Sequence, residues 1–97
     1  MEQVVKTAQA GTLESSDIMI TVSPVEQGSG IHIELESIVM AQYGEKIRKT
    51  ITSIVAGADV QDVFIKAVDR GALDCTIQAR TLAALARAGV ELKEGEA

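Results

Sequence analysis

Aromatic residues are almost missing from this chain, which has one Tyr, one Phe and no Trp among 97 residues. Without aromatic platforms it has no means of stacking single-stranded bases. Positive charge is also short, with 9 Lys and Arg against 14 Asp and Glu and a formal net charge of −5. That balance opposes a phosphate backbone and offers no polybasic signal for a membrane surface, so neither nucleic acid nor membrane is an expected partner. One cysteine, Cys75, excludes an internal disulfide and a thiolate-rich zinc cluster. It reads as a small buried helix residue. One histidine, His32, lies beside Glu34 and reads as a solvated surface imidazole, so no metal site is expected. No apolar run approaches the ~20 residues needed to span a bilayer, and no charged segment followed by an apolar core opens the chain. A soluble cytoplasmic protein is expected.

Aliphatic side chains are what the sequence does have, and a chain of this length can build one small two-layer core from them. A single domain over residues 1–97 is expected, with loose ends at about 1–5 and 90–97. Residues 6–13 are small and polar and read as a weak strand, probing either a close backbone approach or a plain sheet edge. Residues 17–23 alternate cleanly, with Ile18, Ile20 and Val22 on one face and Met19, Thr21 and Ser23 on the other. Pro24 ends that run, and Gln27-Gly28-Ser29-Gly30 supplies turn chemistry. The next run turns Ile31, Ile33 and Leu35 inward and His32, Glu34 and Glu36 outward, so the two runs read as an antiparallel hairpin with one wet face.

Ser37 is placed to cap a helix reaching about Ala56, whose stripe runs through Met40, Tyr43, Ile47, Ile51, Ile54 and Val55. Gly44 interrupts the stripe, and Gly57 suits a left-handed closure. Lys46, Arg48 and Lys49 fall off it. A last strand over 60–68 puts Val63, Ile65 and Ala67 on one face. Asp74 is then placed to cap a second helix through Ala88, ended by Gly89, with Leu73, Ile77, Leu82, Leu85 and Ala88 on its core side. Arg80 and Arg87 share the opposite side. The expected fold is α+β: a small antiparallel or mixed four-stranded sheet with two helices on one face, in the order β-β-β-α-β-α.

Between the first two strands lies a polar knot, Glu14-Ser15-Ser16-Asp17. From the residues alone it is an exposed hairpin turn that presents a hydroxyl. A Ser-His-Asp set can be written from Ser15 or Ser16, His32 and Asp17, but no nucleophile elbow or oxyanion loop accompanies it. The Gly28-Ser29-Gly30 turn is followed by no helix that could receive a phosphate. A non-catalytic carrier or binding module is the better reading than an enzyme.

Four stretches together, GTLESSD with IMITVSP, YGEKIRKTI and DRGALDCTIQARTLAALARA, resemble the acyl carrier (gamma) subunit of citrate lyase, from about Ala8 to Ala88. The resemblance implies that the serine after the glutamate, Ser15, carries phosphoribosyl-dephospho-coenzyme A through a phosphodiester. It further implies that this arm carries acetyl and citryl thioesters between the transferase (alpha) and lyase (beta) subunits as citrate is cleaved to acetate and oxaloacetate. A prosthetic-group transferase is the third implied partner. Asp17 and Glu14 are then expected to orient the loop for that enzyme, or to help hold a metal-bound triphosphate donor. Two other readings stand beside this one: the carrier subunit of malonate decarboxylase, and an unmodified adaptor that docks through its acidic sheet face.

Overall fold

The computed structural model describes residues 2–38 and 40–92, and for Met40 the backbone only. Four strands, β1 (Ala8–Gly11), β2 (Ile18–Ser23), β3 (Ile31–Ser37) and β4 (Val63–Asp69), form one sheet, with helices α1 (Met40–Gly57) and α2 (Asp74–Arg87). The sheet order is β1-β2-β4-β3 and the sheet is mixed. β1 and β2 form an antiparallel hairpin, β2 pairs antiparallel with β4, and β3 pairs parallel with β4. The α+β architecture and its element order are as the sequence predicts.

One pairing differs. β2 and β3 were expected to be hairpin partners, but β4 lies between them. Residues 31–69 instead make a β-α-β unit in which α1 carries the chain over the sheet so that β4 can run parallel to β3. Burying β4 on both sides is favourable because its inward residues, Val63, Ile65 and Ala67, are fully enclosed. They meet Ile18, Ile20 and Val22 of β2 under the helices, where Ile51, Val55, Ile77, Ala84 and Leu85 close the core. The opposite sheet face keeps His32, Glu34, Glu36 and Lys66 in water. α2 packs over β1 and β2, α1 over β3, and the helices pack against each other.

Several local expectations are corrected. Val4 and Val90 are buried, the amides of Val5 and Lys6 donate to the Ala88 carbonyl, and Glu2 bridges to Val60. Residues 2–5 and 90–92 are therefore tied down, while 93–97 lie outside the described residues. Gly44 is buried within an unbroken α1. Gly57 does not take the left-handed conformation; Asp59, at φ 63°, does. Ser37 ends β3 and donates its hydroxyl to Asp69 Oδ2 at 2.8 Å. At α2 the cap position is Leu73, without a side-chain bond, and Asp74 is the first helical residue. Its carboxylate pairs with Lys46 Nζ at 3.5 Å and complements the positive end of the helix. Gly89, at φ 98°, closes α2 as expected.

Tyr43, Leu73 and Leu82, read as core, are exposed, and so is Cys75. Cys75 sits two residues before the fully buried Ile77, about 200° around the helix from it, which turns the thiol outward. No described helix is long and apolar enough to cross a membrane.

Candidate functional site: the loop between the first two strands

The hairpin register pairs Gly11 with Met19, which leaves residues 12–17 as the connection. Gly11 is required there: its φ is 97°, and an added Cβ would lie 1.8 Å from the Ile18 carbonyl oxygen. The chain can turn out of β1 only because that atom is missing. Ser16 also takes a positive φ, 64°, and the Asp17 amide donates to the Glu14 carbonyl at 3.2 Å, closing a turn around the two serines. Thr12, Leu13, Glu14, Ser15 and Ser16 are exposed. Neither serine hydroxyl makes a hydrogen bond among the described residues, so Ser15 presents a free, wet oxygen.

Beneath this open rim the loop is held firmly. Asp17 is its keystone, with 13% of its side chain exposed. Its Oδ1 accepts from the Ile18 amide at 2.7 Å and from Arg80 Nε at 3.1 Å. Its Oδ2 accepts from Thr12 Oγ1 at 2.7 Å and from Arg80 Nη2 at 2.9 Å. The Thr12 oxygen in turn accepts from the Glu14 amide at 3.2 Å. The Arg80 guanidinium, helped by Thr12 and the Ile18 amide, holds the Asp17 carboxyl far below the usual carboxylate range, and Asp17 pushes Arg80 up. Both stay charged at neutral pH.

The main chain adds a second tie. The Ser16 amide donates to the Arg70 carbonyl at 2.8 Å, and the Arg70 amide donates to the Asp17 carbonyl at 2.9 Å. Arg70 follows the last residue of β4, so the loop leans on the central strand of the sheet. Its side chain is not used in the same way. Arg70 Nε is buried and has no hydrogen-bond partner among the described residues.

Sequence reasoning brings Ser15, Glu14 and Asp17 to one loop, and the structure agrees. It misses Arg80, assigned to the solvent side of α2 together with Arg87. The two do share a side, but that side faces the hairpin: Arg87 Nη1 donates to the Gln9 carbonyl at 2.9 Å. The signal was present in the DRGALDCTIQARTLAALARA stretch, which contains Arg80. Both oxygens of Asp17 are bonded within the protein, two donors to each. All its acceptor capacity is taken up by protein donors. His32 is exposed and donates from Nε2 to the Ser29 carbonyl at 2.7 Å, away from this loop. No metal-binding group of three His, Cys, Asp or Glu occurs among the described residues.

Comparison with known proteins decides the family. Citrate lyase acyl carrier protein of Streptococcus uberis is 55% identical over 85 residues, covering 88% of this chain and 82% of that one. The protein of that name from Halothermothrix orenii is 50% identical over 94 residues, covering 97% and 98%. The chain belongs to the citrate lyase acyl carrier protein family. A broader acyl-carrier family, described as malonate decarboxylase delta subunit (MdcD), matches residues 5–88. Among solved structures, a chain of a Pseudomonas malonate decarboxylase hetero-tetramer in complex with malonate superposes with a TM-score of 0.74 at 17% identity, over 90% of this chain and 88% of that one. At that identity the carrier fold is shared and nothing finer follows. For this carrier family, the free Ser15 hydroxyl on a braced tip is the feature that calls for explanation.

Proposed function

We propose that this chain is the non-catalytic acyl carrier subunit of citrate lyase, with phosphoribosyl-dephospho-coenzyme A attached to Ser15 Oγ through a phosphodiester. The observation that carries the reading is the contrast within six residues. Asp17 and the Ser16 amide are locked to α2 and β4, while the neighbouring Ser15 oxygen is exposed and unbonded. A transferase needs such an oxygen, and a carrier needs such a base. The residues fit the group: Ser15 supplies the ester oxygen, and Arg70, whose main chain is bonded to the loop, has a buried side-chain Nε with no hydrogen-bond partner among the described residues.

When bound, the group supplies a terminal thiol suited to thioester exchange. The chain's own residues do the rest. Thr12, Asp17 and Arg80 fix the tip, so a partner enzyme meets the hydroxyl in one orientation, which lowers the entropic cost of the encounter. Attachment at one fixed point makes each visit to a partner site intramolecular, at an effective concentration of about millimolar. The partners are the alpha and beta subunits of citrate lyase and the prosthetic-group transferase. The exposed sheet face bearing His32, Glu34 and Glu36 remains available for contact with them.

Identities of 50–55% favour citrate lyase over malonate decarboxylase, to which the solved chain is similar at 17%. Peptide mass spectrometry of the protein from its native host tests the proposal. The segment holding Ser15 and Ser16 should carry the mass of the group on Ser15; an unmodified segment in the active complex would overturn it.

A further inference from the structure

Arg70 stands apart from the other arginines. Arg80 is paired with Asp17, while Arg48 and Arg87 donate to the carbonyls of Ile33 and Gln9. Arg70 makes no ion pair among the described residues, and its buried Nε has no acceptor, in a chain that carries 14 carboxylates. A buried N–H without an acceptor is unfavourable and marks a place where a partner is missing. The position is also specific. Through the 2.8 Å bond from the Ser16 amide to the Arg70 carbonyl, the Arg70 Cα lies at most about 8 Å from that of Ser15. A side chain as long as arginine's spans that gap.

We propose that the Arg70 guanidinium is the anion anchor of this carrier, pairing with the phosphate esterified to Ser15. This rests on the reading of Ser15 given above. Guanidinium suits a phosphate because its planar fork matches two phosphate oxygens and it is never deprotonated. The surroundings require a cation. Glu14, exposed and without an ion pair among the described residues, adds negative charge next to the ester, and Arg80 is already neutralised by Asp17. Pairing at Arg70 fixes the first atoms of the attached group against β4 and leaves the remainder free.

The test compares 15N-labelled protein made without the modifying enzymes with protein co-expressed with them, after peptide mass has established which serine is loaded. Side-chain Nε–H signals are assigned by through-bond correlation to the backbone, so no variant is needed for the main measurement. With the group on Ser15, the Arg70 Nε–H should shift downfield and exchange with water about tenfold more slowly, while the Arg80 signal stays in place. A second measurement is the phosphorus spectrum of loaded Arg70→Lys, in which the ester signal should move relative to wild type. A Ser15 adduct with an unchanged Arg70 signal overturns the anchor alone. Absence of any adduct from Ser15 overturns the attachment reading, and the anchor with it.

Discussion

Asp17 and Arg80, 63 residues apart, face each other with both carboxylate oxygens matched to two guanidinium nitrogens, at 3.1 and 2.9 Å. Such a two-point contact fixes direction as well as distance. Removing the fork should leave the sheet intact and release the loop. In Arg80→Met, amide exchange over residues 12–17 should rise while the core strands stay protected, and the rate of Ser15 modification should fall about 10- to 100-fold. Arg80→Lys keeps the charge but not the fork, and should recover only part of that rate. An unchanged loop exchange pattern in Arg80→Met would show that the contact does not hold the tip.

Asp17 also predicts a pH dependence. Its folded value is lowered, chiefly by Arg80, so the unfolded chain binds a proton that the folded chain rejects. The stability it contributes is complete above the ordinary aspartate value of 3.8 and is lost as pH falls through the lowered folded value. Urea melts from pH 7 to 2 should show wild type more stable than Asp17→Asn at neutral pH, with the gap closing below pH 3.8. A gap that stays constant across that range would exclude the ion pair as its source.

Gly11→Ala tests the hairpin exit. The added carbon meets the Ile18 carbonyl at 1.8 Å, and a φ of 97° is strained for any side chain. Equilibrium denaturation should show a loss of about 2–4 kcal/mol. A loss below half a kcal/mol would mean that the loop can leave β1 by another route.

The two adjacent serines are separable. Ser15→Ala should abolish the mass adduct in protein co-expressed with the modifying enzymes, and Ser16→Ala should retain it. The reverse result would move the attachment point by one residue.

Cys75 gives a thiol count. It is the chain's one cysteine and it is exposed, so bare folded protein should titrate one equivalent with a thiol reagent, without denaturant. Loaded protein should titrate two. A count of one in loaded, deacylated protein would argue against a terminal thiol on the attached group.

Much of this architecture can be read along the chain. Alternation puts Ile18, Ile20 and Val22, and again Val63, Ile65 and Ala67, on the buried face, and burial confirms each of them. Pairing is harder, because a period of two tells which side of a strand is wet and not which strand lies beside it. Tight-turn residues between β2 and β3 suggested a hairpin, but the apolar strand that best fills the middle of the sheet comes later. Arg80 was hard to place for a related reason. It lies three residues after Ile77, about 60° around the helix from a fully buried side chain, on the shoulder of the apolar stripe. A long arginine on that shoulder can lie along the core edge and reach a carboxylate whose position depends on the fold. No local pattern contains Asp17 and Arg80 together.

The tip is moored to α2 and to β4, elements outside its own hairpin. Hairpin twisting, the softest motion open to a two-stranded ribbon, is therefore resisted where the hydroxyl stands. A crane works by having a mast that does not sway: the volume swept by a tethered load is set by the length of the jib. Partner subunits can then be served from one post by their placement around it, with no bending of the post itself.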